Sequence, residues 1–184
     1  MTGGLENESK HRVPDEAALR RALAALGFVP DPEVDRQVDE YYDSPDGSLR
    51  RADLVCRIRV HAGRAEAGFK GPRRWREDGS HTRIEVELPV AGVDEARAAL
   101  ALQGLVRVWR LEKRRRVYRR PDPRLVVCLD ELPGLGLFVE LEGTVAEITA
   151  VRGTLGAAIG AAEPRNYHEI ATAEHPDLDG LLFD

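Results

Sequence analysis

The chain has 184 residues, 42% hydrophobic and 32% charged, the balance of an ordinary folded protein rather than a disordered or fibrous one. A formal net charge of -5 gives no general attraction to nucleic acid or anionic membrane, so any anion-binding ability must come from local arrangement. No run approaches 18 apolar residues and residues 1–10 lack an apolar signal core, so neither membrane spanning nor secretion is expected.

A first strand is predicted over 5–13. Val13-Pro14-Asp15 closes it and opens a helix capped by Asp15, in which Leu19, Leu23 and Leu26 share one face and Gly27 is the stop. Strands follow at 34–43, 53–61, 65–71 and 81–90, with Ser44-Pro45-Asp46-Gly47 and Ala62-Gly63 as turns. Residues 71–80 read as a mobile loop carrying Trp75. A helix over 93–103 ends at Gly104, strands at 105–119, 124–131 and 136–143 bring the count to eight, and helices at 145–160 and 166–173 close the chain. One domain over 1–184 is expected, with 1–4 and 174–184 flexible.

Helices do not alternate with every strand, so the pattern is α+β with an antiparallel sheet rather than a doubly wound one. Along the strands, charges recur at i, i+2: Glu6, Glu8 and Lys10; Arg57 and Arg59; Arg83, Glu85 and Glu87; Lys113 and Arg115; Glu140 and Glu142. That spacing puts each set on one strand face, with apolar residues such as Ile58, Val86 and Leu141 on the other. A plain α+β sandwich would turn the charges to solvent. Closure into an eight-stranded barrel with a polar lumen, covered outside by helices, is the preferred arrangement.

Taken as one inward set, Lys10, Arg57, Arg59, Lys70, Arg83, Lys113 and Arg115 face Glu6, Glu8, Glu85, Glu87, Asp130, Glu140 and Glu142. Seven against seven is formally neutral, so burial requires specific pairing or bound ions. Paired carboxylates suit Mg²⁺ or Mn²⁺, and many Arg and Lys donors suit phosphoryl oxygens. The three lysines, Lys10, Lys70 and Lys113, stand out in an arginine-rich chain, because an ammonium can rotate and shift its pKa where a guanidinium cannot. Together these groups describe a site for a metal-bound polyphosphate.

Glu6-x-Glu8-x-Lys10 resembles the signature of the CYTH superfamily, the triphosphate tunnel metalloenzymes. In matching order come Asp39-Glu40-Tyr41-Tyr42-Asp43-Ser44-Pro45, Arg57-Ile58-Arg59, Phe69-Lys70-Gly71-Pro72, Arg83-Ile84-Glu85-Val86-Glu87, Lys113-Arg114-Arg115, Leu129-Asp130 and the Gly134–Glu142 run. The resemblance implies an eight-stranded tunnel holding a triphosphate with Mg²⁺ or Mn²⁺. Glu140 and Glu142 match metal-binding acids with Asp130 assisting, and Glu6 and Glu8 match acids that reach a second metal or its waters. Lys10, Arg57, Arg59, Lys70, Lys113 and Arg115 match phosphate-binding cations, Arg83 is grouped with them, and Glu85 and Glu87 support. Asn7 and Ser9 depart from the family pattern, which has apolar residues between the first-strand charges.

Phe69-Lys70-Gly71-Pro72, the Gly134–Glu142 run and Asn166-Tyr167-His168-Glu169 look most like the class IV adenylyl cyclase branch, implying conversion of ATP to cyclic AMP and pyrophosphate. The competing reading is a triphosphatase acting on tripolyphosphate or thiamine triphosphate, where Tyr41 and Lys70 resemble a catalytic pair and Trp75 could face an organic cation or base. A non-catalytic nucleotide- or polyphosphate-binding module is the third. Arg107, Arg110, Lys113, Arg114, Arg115, Arg116, Arg119 and Arg120 resemble a nucleic-acid patch, but alternation splits them between faces, which disfavours nucleic acid as partner. Cys56 and Cys128 are expected as buried free thiols in a cytoplasmic protein. The five histidines have no zinc spacing and are expected in surface or capping roles. A homodimer is left open.

Overall fold

The computed structural model describes residues 2–121 and 125–183, with Thr2 described by its backbone alone. Arg124, the expected first residue of the seventh strand, lies outside the described residues, as do Met1 and Asp184 of the expected flexible ends. In chain order the elements are β1 (Thr2–Arg12), α1 (Glu16–Ala25), β2 (Val29–Pro30), β3 (Asp35–Asp43), α2 (Ser48–Arg51), β4 (Val55–His61), β5 (Arg64–Lys70), β6 (Arg74–Trp75) and β7 (His81–Val90). There follow α3 (Val93–Leu102), β8 (Val106–Arg119), β9 (Leu125–Leu132), β10 (Gly136–Gly143), α4 (Val145–Leu155), a 3₁₀ turn at Gly156–Ala158, α5 (Tyr167–Glu174) and β11 (Gly180–Leu181).

Eight strands run in the order β1-β10-β9-β8-β3-β4-β5-β7, each antiparallel to its neighbour, and pairing of β1 with β7 closes the ring. Closure leaves no free sheet edge along most of the wall and turns one face of every strand inward. The expected α+β barrel with outer helices is the observed architecture. β1 staples it: residues 2–8 pair with β7 and residues 8–12 with β10.

Local signals explain the helices. Asp15 accepts from the Ala18 N–H at 3.0 Å, and Leu19 and Leu23 are buried. Thr144 caps α4, and Asn166 with Glu169 forms a capping box on α5. The helix expected over 145–160 stops at Leu155 because Gly156 takes a positive φ of 49°. The turn at 44–47 is followed by a short helix the sequence pattern did not foretell. Its free N–H groups at Leu49 and Arg50 donate to the Asp43 carboxylate at 2.9 and 3.1 Å.

Helix α1, helix α4 and the 3₁₀ turn pack on the outside of β8–β10 around Leu125, Val127, Val139 and Leu141. Helix α3 covers β3 and β4 through Ala96 and Leu100 against Tyr42, Cys56 and Ile58. Helix α5 sits against Tyr41, Trp109, Leu111 and Phe138 through Tyr167, Ile170 and Ala171. Helical cover is incomplete, contrary to expectation: Leu5, Ile84 and Phe69, on the outer face of β1, β7 and β5, are 71%, 60% and 38% exposed.

Two further expectations change on folding. The 71–80 loop is anchored rather than loose: Arg73 bonds Asp53 and Glu169, and Arg152 of α4 bonds the Asp78 carbonyl at 2.8 Å. His11 is a core residue and not a surface one. It bonds Ser9 Oγ at 2.8 Å through Nε2 and the Gly160 carbonyl at 2.9 Å through Nδ1. Ser9 and Asn7 therefore knit the first strand outward by hydrogen bonds where apolar contacts were missing, since Asn7 Nδ2 also donates to the Gly143 carbonyl at 3.0 Å. Residues 2–4 lie in β1, and Gly180–Leu181 pair with Arg110–Leu111 of β8.

Candidate active site

The inward faces enclose a cavity of about 450 Å³. Its wall carries Lys10, Arg57, Arg59, Lys70, Arg83, Lys113 and Arg115, together with Glu6, Glu8, Glu85, Glu87, Glu140, Glu142 and Tyr41. Every sequence-predicted site residue except Asp130 is on that wall. The i, i+2 spacing does this work, because the strand pleat sends alternate residues to one side and the closed ring points those sides at each other.

Asp130 stands behind the wall with no solvent exposure. Its Oδ1 accepts from Arg115 Nε at 2.7 Å. Its Oδ2 accepts from Arg115 Nη2 at 2.6 Å, Lys113 Nζ at 3.0 Å and Tyr167 Oη at 2.8 Å. With four donors on two oxygens it positions cations and has little left for a metal. Asp39, which sequence reasoning passed over, does the same for Arg59 through bonds of 2.6 and 2.8 Å. Both carboxyls are held below the usual range: burial opposes their charge, but the adjacent cations outweigh it.

Tyr167 is the second site group that the sequence pattern does not single out, although it lies in the Asn-Tyr-His-Glu segment. Asn166 and Tyr167, at the start of α5, line the cavity. The Tyr167 ring lies 4.4 Å from Lys10 Nζ and 5.1 Å from Lys113 Nζ, so two lysines share one aromatic ring. Tyr41 lines the same cavity with its ring stacked on His168 at 5.5 Å, and burial raises its hydroxyl pKa. Trp75 is off the wall, 45% exposed, beside Arg73 and His81.

Most cations are matched internally. Lys10 meets Glu8 at 3.4 Å and Glu140 at 3.3 Å, and Lys70 meets Glu6 at 3.2 Å and Glu85 at 2.6 Å. Arg57 meets Glu87 at 3.0 Å, and Arg115 contacts Glu140 and Glu142. Burial opposes the Lys10 charge, yet Glu8 and Glu140 hold its pKa above the ordinary value. Burial and Arg115 push Lys113 the other way. Arg83 differs: among the described residues its Nε and Nη1 have no hydrogen-bond partner, though it is only 6% exposed. A buried guanidinium without acceptors is costly unless a ligand supplies them.

Space for Arg57 depends on a glycine. A Cβ on Gly68 would stand 3.0 Å from Arg57 Nε and 3.2 Å from its Cγ, so the missing side chain lets the guanidinium lie across β5.

The acids show the opposite imbalance. Glu8 and Glu142 are direct cross-strand partners, an unfavourable pairing of like charges unless a cation lies between them. Burial, with Glu140 and Glu8 nearby, raises the Glu142 pKa. Burial also raises that of Glu6, whose carboxyl shares a hydrogen bond with Glu85. The oxygen Glu8 Oε1 has no hydrogen-bond partner among the described residues. As placed, no three described His, Cys, Asp or Glu side chains form a metal-ready cluster. The hard oxygen donors of Glu6, Glu8, Glu140 and Glu142 nevertheless fit a Mg²⁺ or Mn²⁺ ion, which would relieve their crowding.

Three arginines of outer β8 and the residues after it are paired with acids. Arg114 pairs with Glu131 at 3.5 Å, Arg119 with Asp31 at 3.3 Å and Arg120 with Glu147 at 3.5 Å. Cys56 and Cys128 are free and buried. No helix among the described residues is long and apolar enough to cross a membrane.

The CYTH domain model matches residues 4–164. The chain belongs to the CYTH family. A protein of Methanocaldococcus jannaschii, named as a candidate adenylate cyclase (MJ0240), is 30% identical over 144 residues, covering 78% of this chain and 79% of its own. Adenylate cyclase CyaB of Aeromonas hydrophila is 31% identical over 141 residues, covering 76% and 69%. Among solved structures, HpAC1 of Hippeastrum, described as a candidate adenylyl cyclase with dominant triphosphatase activity, superposes with a TM-score of 0.64 at 20% identity over 94% of this chain and 97% of that one. CYTH membership thus accounts for the barrel and for the ordered series of inward charges.

Proposed function

We propose that this CYTH protein is a metal-dependent enzyme acting on a triphosphate in its barrel, with conversion of ATP to cyclic AMP and pyrophosphate as the leading reaction. The observation that carries the triphosphate assignment is the convergence of seven Lys and Arg side chains on one cavity, one of them, Arg83, having no acceptor among the described residues for two of its nitrogens. The names of the two relatives at 30 and 31% identity support the cyclase reaction.

In this reading Lys10, Arg57, Arg59, Lys70, Arg83, Lys113 and Arg115 hold the phosphoryl oxygens, with bidentate geometry available to the arginines. Asp39, Asp130 and Tyr167 keep those cations in place. Mg²⁺ or Mn²⁺ at Glu6, Glu8, Glu140 and Glu142 supplies neutralisation of phosphate charge; Asp130, whose oxygens are taken, assists only through its cations. The ribose 3′-oxygen bonds to the α-phosphorus as the bond to the bridging β-phosphate oxygen breaks. The hydroxyl proton leaves to solvent or a neighbouring group, and the pyrophosphate charge stays against the cations. Catalysis is then orientation and electrostatic stabilisation, with no covalent enzyme intermediate.

A triphosphatase acting on tripolyphosphate or thiamine triphosphate is the second reading. It is supported by a wall that is mostly charged, with Tyr41 and Val55 among its apolar surfaces, and by the dominant triphosphatase activity described for HpAC1. Tyr41 and Lys70 would then serve at the attacking water. Incubation with Mg²⁺ or Mn²⁺ and either ATP or tripolyphosphate separates the two. Cyclic AMP with pyrophosphate supports the cyclase, orthophosphate supports the triphosphatase, and tight binding without product leaves a non-catalytic binding module.

A further inference from the structure

β1 leaves part of its backbone uncovered at the cavity mouth. The Gly71 N–H donates to the Ile84 carbonyl at 2.8 Å, so Ile84 of β7 directs its main-chain groups toward β5. In an antiparallel ladder a residue's N–H and C=O point the same way and alternate along the strand. Leu5, the β1 partner of Ile84, therefore turns its N–H and C=O away from β7, and so does Gly3. The other flank agrees, since the Val13 N–H donates to the Leu137 carbonyl, placing odd-numbered residues of this stretch toward β10. But β10 ends at Gly143, where Asn7 Nδ2 takes the last carbonyl, and no strand of the described residues continues opposite Leu5 and Gly3. Among the described residues no loop or side chain bonds these groups.

The same stretch lines the cavity: Gly3, Gly4 and Leu5 belong to its wall next to Glu6 and Glu85. Gly4 faces inward by alternation with Glu6 and Glu8, and a Cβ there would meet nothing within 4 Å. Two residues of free edge, spanning roughly 7 Å at strand rise, are too short to recruit a peptide strand but match the edge of a fused heterocycle. We propose that the N–H and C=O groups of Gly3 and Leu5 read the organic substituent of the bound triphosphate, a heterocycle presenting an adjacent hydrogen-bond donor and acceptor such as the amidine edge of a nucleobase. This deepens the proposed function and rests on it: the phosphates occupy the charged interior and the base lies across the glycines at the rim.

Leu5→Pro tests the assignment cleanly. It deletes the Leu5 N–H, one of the two donors, while sparing the ladder to β7, and proline is tolerated where a strand N–H is unpaired. Leu5→Ala, which changes the side chain and keeps the N–H, is the reference. Equilibrium binding of ATP and of tripolyphosphate, each with Mg²⁺, is compared in both variants. The expected result is a ratio of ATP to tripolyphosphate affinity about three- to tenfold lower in Leu5→Pro. An unchanged ratio overturns the inference and leaves the triphosphate reading intact. Binding of tripolyphosphate without ATP does the same. Binding of neither by the unmodified protein overturns both. Should Leu5→Pro fail to fold, amide exchange in the unmodified protein decides the matter: the Leu5 N–H must be protected by ATP and not by tripolyphosphate, and equal protection by both refutes the proposal.

Discussion

Replacing Asp130 by asparagine removes one charge from a place where the structure leaves no substitute. The carboxylate is fully buried and serves Lys113, Arg115 twice and Tyr167. Asparagine keeps the shape but turns one acceptor into a donor, so at least one of the four donors then faces another N–H. Glu140, another acid on Arg115, is already shared with Lys10 at 3.3 Å. Breaking a buried ion pair from one side costs about 3–5 kcal/mol, which for a chain of this size lowers Tm by roughly 6–20 °C. Lys113, held below its ordinary pKa by burial and Arg115, also loses the carboxylate that supports its charge, so its affinity for phosphate falls too. Urea unfolding and calorimetric binding of tripolyphosphate with Mg²⁺ measure the two effects. A loss below about 1 kcal/mol with unchanged affinity would refute Asp130 as the anchor of the cation cluster. In a double-mutant cycle, Tyr167→Phe and Asp130→Asn should couple, because the Tyr167 hydroxyl has that carboxylate as its partner.

Arg83→Met should weaken tripolyphosphate binding by about 10- to 100-fold, the range for a charged hydrogen bond, while stability stays level or rises because two unpartnered nitrogens disappear; equal affinity in a binding titration would count against Arg83 as a ligand group. Gly68→Ala should displace Arg57 and reduce affinity severalfold with little change in unfolding midpoint, and the effect should vanish in an Arg57→Met background. His81 is buried, and its pKa is pushed down to about 4 by burial, with Arg83 adding to the effect. The unfolded chain then binds the extra proton first. His81 thus favours folding above pH ~6.5, and that contribution is lost as pH falls from ~6.5 toward about 4, amounting to about 2 kcal/mol between pH 7 and 5. Urea midpoints of the unmodified protein and His81→Asn at the two pH values should show a smaller acid loss in the variant, and equal losses would contradict this assignment.

The barrel was legible because its determinants are local and periodic. Glu6, Glu8 and Lys10 or Arg57 and Arg59 need only the strand pleat to share a face, and eight such segments joined by Gly and Pro turns leave few other arrangements. What escaped depends on contacts between distant segments. Asp130 reads as an inward acid and Asp39 is not singled out at all, yet only pairing of Asp39 with Arg59 and of Asp130 with Arg115 shows that each is consumed by a cation. Tyr167 lies on α5, far in sequence from the strands, and nothing in its capping box announces that its ring lies under Lys10 and Lys113. His11 seemed an isolated histidine because its partner, the Gly160 carbonyl, lies 149 positions later. Gly68 could have been suspected, since a glycine inside a strand often marks a close approach, but which group approached was not readable.

The distribution of charge in the cavity has a consequence for how its ligands bind. Lys10, Lys70, Arg57 and Arg115 are each held by carboxylates, so a triphosphate can engage them only by drawing them away from Glu8, Glu140, Glu6, Glu85, Glu87 and Glu142. Those acids would then be crowded and uncompensated, with Glu8 directly opposite Glu142. A divalent cation restores balance at the moment the phosphates disturb it. Anion and metal should therefore bind with positive cooperativity, and linkage requires the same factor in both directions. Mg²⁺ affinity measured with and without tripolyphosphate, and tripolyphosphate affinity measured with and without Mg²⁺, should rise by one common ratio. Glu142→Gln removes the opposed pair and should reduce that ratio, because less charge is left for the ion to satisfy. Independent binding in the unmodified protein would mean that the carboxylates remain paired with their cations when the anion is bound, and that Arg83 with the remaining free donors holds it alone.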